Sequence, residues 1–313
     1  MSTKPLTYEF PKLFKRFTNQ KQQVVHHLIL LRENKQYRER QGAALVPGLK
    51  MLTELRNEGF EFKSLTVTAE KEPHDFSAIK FPANQVIQNP DAFPANQYYL
   101  IDVDLTRRIL GTASRPGRHE IFAEIKLPKN ELPPKEEVDR MLIFDHVNDP
   151  GNLGTLVRTA RALDWKTGLT TTGTCDMYND KTLRASRCNT LRWPHKRVPV
   201  SGLVEFLKKY DMTPVVADML RPDVQDAWSP EDVQGPPGPG TGLWFWNWKG
   251  RTPEFPKRPA LILSSEHHGV QGLDDELRLS IPMENTESLN VASAGSMLMW
   301  EMNRLLAKFK NKN

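Results

Sequence analysis

The sequence predicts an α/β protein in which a small α/β domain precedes a larger one built on a parallel sheet with helices on both faces. Three observations carry this expectation. From Met141 onward, apolar strand-like runs alternate with helical patterns, as parallel strands joined by crossovers require. Three segments, Asp145–Leu163, Ile262–Val270 and Ser280–Gly295, combine an apolar strand with a tight turn holding Asn, Glu or Ser beside Gly. Such a sheet presents a ligand site at its strand ends in this way. Finally, 313 residues suit two cores better than one, and a stretch with Pro128, Pro133, Pro134 and alternating charge offers the boundary.

The elements follow in order. Residues 1–20 form a basic arm, and residues 21–128 form the small α/β domain. In that domain a helical stretch from Gln22 to Arg38 leads to ALVP, a turn at Pro47-Gly48 and a second helix. SLTVTAE, QYYLIDVD and HEIFAEIKLP read as strands. Residues 129–139 are the linker. The larger domain, 140–313, opens with MLIFDHV and a helix near Asn152 that repeats Leu153, Leu156, Val157, Ala160 and Leu163 at helical spacing. GLTTT, a helix over Lys181–Arg187, a helix over Gly202–Tyr210, PVVADM, ALILSS and a long last helix complete it. On that last helix Val291, Ala294, Leu298, Met302 and Leu305 form an apolar stripe, which serves equally a buried helix within the domain and an interface between copies.

Composition narrows the function. The net charge is +5, and the positive residues are clustered: Lys12, Lys15, Arg16, Lys21, Arg38 and Arg40 near the start, then Arg158, Arg161, Lys181, Arg184, Arg187 and Arg192. Patches of this kind suit a polyanion, and solvated helix faces are the plainer explanation of each one. The two cysteines, Cys175 and Cys188, are too few for a disulfide framework and lack metal-site spacing. They fit a reducing compartment. No apolar run is long enough to cross a bilayer, so no membrane partner is expected.

An apparent insertion, 235–258, stands apart. GPPGPGTG is followed by LWFWNWKG, which holds Trp244, Phe245, Trp246 and Trp248 beside Lys249 and Arg251. Exposed, these aromatics would stack on unpaired bases or dock a protein. Buried, they would plug their own domain.

Taken together, the three turn segments resemble the motifs of the SPOUT RNA methyltransferases, in the TrmH/SpoU branch of 2′-O-ribose methyltransferases. The pattern Asn-x-Gly-x-x-x-Arg is met by Asn152, Gly154 and Arg158, and the string SLNV precedes a small-residue helix. The resemblance implies a trefoil knot in the carboxy-terminal domain and S-adenosyl-L-methionine as cofactor. It implies catalytic roles for Asn152, Arg158, Glu266, Ser288 and Asn290, and donor contacts from Ser264, Gly269, Ile281, Met283 and Leu289. Ser288 also reads as the N-cap of the last helix. The first domain resembles the family's ribosomal-protein-like substrate domain, which implies RNA contacts from Arg38, Arg40, Arg161, Lys181, Arg184 and Arg187. Ribosomal RNA is expected over transfer RNA, with a homodimer or a heterodimer with a paralogue as the assembly. Divergent members with extra segments are common in organelles, which favours a mitochondrial setting over the cytoplasm.

The chain departs from the pattern where relatives carry glycine, at Ser264, Cys188 and Asp164, and it lacks the usual glycine near Asn285. The third motif is one residue short between Ile281 and Ser288. These departures motivate a second reading, a ribosome assembly or RNA-binding factor that keeps the fold as a scaffold. Donor binding separates the two.

Overall fold

The computed structural model describes residues 12–69, 79–112, 120–220, 224–231, 233–247, 254–264, 273, 275–286 and 288–310. The chain divides into two compact units, Met1–Pro128 with Tyr178–Asp180, and Lys129–Met177 with Lys181–Asn313.

In the first unit the elements are β1 (Phe14–Phe17), α1 (Gln23–Glu33), α2 (Lys35–Gln41), β2 (Ala43–Pro47), α3 (Leu49–Asn57), β3 (Phe62–Thr68), α4 (Ala83–Gln88), β4 (Ala95–Ile101), α5 (Val103–Leu110) and β5 (Ile121–Lys126). Among the described residues they form a five-stranded sheet in the order β1-β4-β3-β5-β2. β1, β4 and β3 run parallel, and β5 lies antiparallel to both β3 and β2. Val25, Leu28 and Leu31 of α1 and Leu105 and Ile109 of α5 bury against Ala43, Leu45, Ile101 and Phe122 of the sheet.

Two details differ from the sequence reading. Phe14–Phe17, expected in the basic arm, is an edge strand paired with β4, and Phe14 is buried against Tyr98. The helix expected over Gln22–Arg38 is broken at Asn34, whose extended backbone ends α1 and whose side chain caps α2 by accepting from the Tyr37 amide at 2.9 Å.

The second unit contains β6 (Met141–Asp145), α6 (Pro150–Ala162), β7 (Gly168–Thr170), α7 (Asp180–Ala185), β8 (His195–Arg197), α8 (Val200–Lys209), β9 (Thr213–Ala217), β10 (Trp244–Trp246), β11 (Pro259–Ser264), β12 (Leu277–Ser280) and α9 (Val291–Lys310). Its sheet has the order β10-β12-β9-β11-β6-β7-β8 among the described residues. Every pairing is parallel except that of β10 with β12. One face packs Ile143, Leu169, Val216 and Ile262 against Leu203 and Leu207 of α8. The other presents Leu263 to Gly295 of α9, with Leu156 of α6 on the same glycine. Helices therefore cover both faces, as alternating strands and helices require. Each fully buried Leu or Ile contributes about 1.5–3 kcal/mol relative to exposure.

β10 settles the character of the aromatic segment. Trp244, Phe245 and Trp246 are 5%, 0% and 0% exposed, so they complete the sheet edge and the core rather than forming a stacking platform. Phe245 also exchanges backbone hydrogen bonds with Trp228 and lies edge-on to Phe255, which stacks on Phe309 of α9. Trp248, Lys249 and Arg251 lie outside the described residues.

Candidate active site

The six mutually parallel strands bring their carboxyl ends to one edge of the sheet, the edge at which open α/β sheets bind ligands. In-register pairing of β11 with β6 sets Ser264 opposite Asp145 there, and Ile281 follows directly after β12.

The turn from β6 into α6 is built on acidic side chains that the sequence reading passed over. Asp145, 2% exposed, accepts hydrogen bonds from the Thr171 hydroxyl and pairs with His146 Nδ1 at 3.0 Å. Asp149 caps α6 by accepting from the Asn152 amide at 2.7 Å, and Pro150 occupies the first helical turn. The Asp-Pro pair was the available signal, an N-cap residue followed by the one residue that needs no amide donor there.

Asn152 thus sits in the first turn of α6, where its Oδ1 accepts from Asn290 Nδ2 at 3.2 Å. Asn290 Oδ1 in turn accepts from the amides of Ala292 at 2.9 Å and Ser293 at 3.4 Å, so the cap of α9 is Asn290 and not Ser288. Ser288 lies outside the helix, half-buried, with its carbonyl accepting from the Thr286 hydroxyl. One asparagine therefore starts the last helix and hooks it to the first motif.

Below this hook the two helices pack closely. The Ser296 and Thr159 hydroxyls lie 3.4 Å apart, and Asn303 donates to the Leu163 carbonyl at 2.8 Å. Gly154 faces α7: a Cβ there would lie 2.7 Å from the Thr182 carbonyl oxygen and 2.8 Å from the Ser186 nitrogen. The glycine of Asn-x-Gly-x-x-x-Arg is thus a contact requirement, and the arginine one turn later, Arg158, points outward and is exposed.

Of the expected donor contacts, Ser264, Ile281, Met283 and Leu289 are each half-buried. Glu266 and Gly269 lie outside the described residues.

Three glycine departures share one backbone property. Asp164, Cys188 and Asn285 have φ of 58°, 59° and 62°, the left-handed region glycine favours. Asp164 closes α6 in a Schellman turn, with the Trp165 amide donating to the Ala160 carbonyl at 2.8 Å. The backbone of this chain keeps the conformation despite the side chain. Ser264 is different, being the extended last residue of β11.

Among the expected RNA contacts, Arg40, Arg161, Lys181 and Arg184 are exposed and Arg187 is half-buried. Arg40 lies over the Tyr37 ring, and Arg161 donates to Asn189. Arg38 is corrected: it is 3% exposed and donates to the Leu31 and Arg32 carbonyls at 2.8 and 2.6 Å, closing the end of α1. Burial pushes the Cys175 thiol up to about 11 and lowers His195, so both are neutral near pH 7. Among the described residues no cluster of His, Cys, Asp or Glu could hold a metal, and no helix is long and apolar enough to cross a membrane.

The profile of the SpoU rRNA Methylase family matches residues 139–300. The 23S rRNA (guanosine(2553)-2′-O)-methyltransferase RlmP of Bacillus subtilis is 28% identical over 214 residues, 66% of this chain and 72% of that protein. The mitochondrial rRNA methyltransferase 3 of Xenopus tropicalis is 27% identical over 208 residues, 63% of this chain; the match spans 46% of the frog protein. In overall fold the chain resembles the SpoU methyltransferase AviRb of Streptomyces viridochromogenes in complex with AdoMet, with a TM-score of 0.67 at 20% identity over 91% of this chain and 98% of that one. An rRNA methyltransferase from Sinorhizobium meliloti gives 0.65 at 18% identity over 94% and 99%.

Proposed function

This chain belongs to the SpoU rRNA methylase family, and from that premise we propose that it is an S-adenosyl-L-methionine-dependent RNA 2′-O-ribose methyltransferase acting on ribosomal RNA. The observation that carries the reading is the Asn290–Asn152 hydrogen bond, which ties the third motif to the first while leaving Arg158 exposed on the next turn of α6. Relatives named as rRNA 2′-O-methyltransferases support the substrate class.

When bound, the donor supplies a methyl already activated on sulfonium. The reluctant partner is the ribose hydroxyl, so the protein's contribution is alignment, for which up to about 7–11 kcal/mol is available in well-oriented reactions. The half-buried Ser264, Ile281, Met283 and Leu289, with Gly269, would hold the donor largely through backbone groups. Arg158 grips a phosphate beside the target ribose and stabilises negative charge on the attacking oxygen, roles that suit a guanidinium's fork of donors better than that of a base. Asn152 and Asn290 keep the two motif turns in register, and Glu266 and Ser288 orient the bound groups.

The same reading takes residues 21–128 as the RNA-binding domain, with Arg40 in it and Arg161, Lys181, Arg184 and Arg187 on the catalytic domain as phosphate contacts. It includes the family's trefoil knot and a dimer. The apolar stripe of α9 is consumed inside the domain, since Leu298, Met302 and Leu305 are buried. Met297 and Trp300, 51% and 65% exposed on the outer side, are then the dimer's apolar contact.

Calorimetric titration with S-adenosyl-L-methionine, followed by transfer of labelled methyl to ribosomal RNA, tests the proposal. Micromolar binding and label retained on the ribose are expected. Undetectable binding by folded protein, with RNA present, would leave the scaffold reading instead.

A further inference from the structure

The sequence reading gave the Trp-rich insertion no part in donor binding, yet its contacts converge on the segments that lead into and out of the donor site. β10 pairs with β12 through Trp244↔Ser280, Phe245↔Leu279 and Trp246↔Arg278. Trp246 Nε1 donates to Ser280 Oγ at 2.9 Å in a site where both residues are at most 1% exposed. Ser280 immediately precedes Ile281, the first expected donor contact of the third motif.

Arg278, one pleat earlier on β12 and 5% exposed, carries its guanidinium beside the Trp246 ring, 5.9 Å from the centroid. It pairs with Asp218 at 2.8 Å at the end of β9, and donates to the Leu273 carbonyl at 3.0 Å in the stretch that returns from the second motif. Asn247, next to Trp246, donates to the Asp275 carbonyl at 3.2 Å in the same stretch. A buried charge satisfied on several sides is costly to displace, so the geometry around it is stiff.

We propose that the insertion is a brace for the donor site, in which Trp246 and Arg278 are positioning residues that fix the third-motif strand and the return from the second motif relative to one another. The brace rests on the reading of this chain as a donor-dependent methyltransferase. Its reach is specific: it acts on where the backbone of residues 281–283, Leu273 and Asp275 is held, and not on the RNA side of the site. On the proposed reading, in which the donor is held largely through backbone groups, a shift of that backbone is read directly as lost donor affinity.

The test compares wild type with Trp246→Phe, which keeps an aromatic ring, though a smaller one, and removes the indole donor, and Ser280→Ala, which removes only the acceptor. Affinity for S-adenosyl-L-methionine and S-adenosyl-L-homocysteine is measured by calorimetry, alongside RNA affinity, thermal unfolding and the separation of donor KM from kcat. Each variant is expected to weaken both ligands by about 10-fold, the scale of one buried hydrogen bond. Donor KM should rise in step, with kcat at saturating donor and RNA affinity within about twofold of wild type. The double variant should weaken binding no further than either single one, because both remove the same bond. Unchanged donor affinity in folded variants, with only the unfolding temperature lowered, would overturn the brace and leave a purely structural edge strand. Absence of donor binding by wild type would instead overturn the methyltransferase reading, and the brace with it.

Discussion

Two regions of the second unit carry its most conspicuous side chains and use them in opposite ways. β10 holds three large aromatics in succession, and all of them are buried against β12, Trp228 and the core. The start of α6 holds small and polar residues, and there Gly154 admits α7, Asn152 meets Asn290, and Arg158 is left facing out. Aromatic density beside Gly and Pro reports apolar mass that must go somewhere, and alone it does not say whether the partner is a ligand or the protein itself. Glycine at a fixed helical offset from a polar residue reports a distance between elements, which is much closer to a statement about a site.

The contrast is broken most directly at Phe245. Truncation of this fully buried ring to alanine should cost about 3–5 kcal/mol of stability. Chemical denaturation would show it as a lower midpoint, and RNA affinity measured on the folded fraction should be unchanged. A variant of near-native stability with weakened RNA binding would mean that the aromatics face a ligand after all.

Arg158→Ala should behave in the reverse manner. The side chain is exposed, so the stability should change by less than about 0.5 kcal/mol. Methyl transfer should fall by at least about 100-fold, the usual scale for removing a group that stabilises charge in the transition state. RNA affinity should stay within about threefold if one phosphate contact among many is lost. A matching fall in RNA affinity would make Arg158 a binding residue, and filter binding alongside single-turnover rates separates the two.

Between these extremes, Gly154→Ala probes the close approach itself. The added methyl meets the backbone of α7 at Thr182 and Ser186, and neither can rotate away, so overpacking should cost about 1–3 kcal/mol. Because α6 also carries Asn152, the displacement should lower activity more than the stability loss explains. Native activity in a protein with a reduced melting temperature would show that the hook to Asn290 tolerates movement of α6.

How much of this was legible beforehand follows the same division. The parallel sheet was readable because fully buried strands are short continuous apolar runs, as MLIFD and PALILS are. Asn152, Gly154 and Arg158 were singled out by a family resemblance rather than by their own pattern, and the structure sets them along α6 with Gly154 packed on α7 and Arg158 exposed. Arg38 was misread as an RNA contact because its fate depends on carbonyls six and seven residues earlier, left open only when α1 ends at Glu33. Ser288 and Asn290 are both good caps, and the choice between them is made by Asn152 on another helix. β1 and β8 escaped because strands of four and three residues are defined by their neighbours rather than by their own pattern.

The smallest effect concerns positions where the resemblance expects glycine and this chain holds a left-handed backbone with another residue. Asp164 is held at φ 58° on an exposed turn, and its carboxylate reaches Arg140 only at 3.5 Å. The left-handed conformation costs a non-glycine residue roughly 1–2 kcal/mol, less for Asp. Glycine gives back part of that through the greater freedom of the unfolded chain. Losing the exposed ion pair matters little. Asp164→Gly should therefore stabilise the fold by about 0.5 kcal/mol, about 1–2 °C in melting temperature for a domain of this size. Cys188 has the same φ, 59°, but is 1% exposed. Cys188→Gly gains the same backbone relief and forfeits packing, so it should be neutral or destabilising. If differential scanning calorimetry found the two substitutions equally stabilising, the cost of the left-handed backbone would outweigh burial at this joint, and the family's glycines would be there for strain alone.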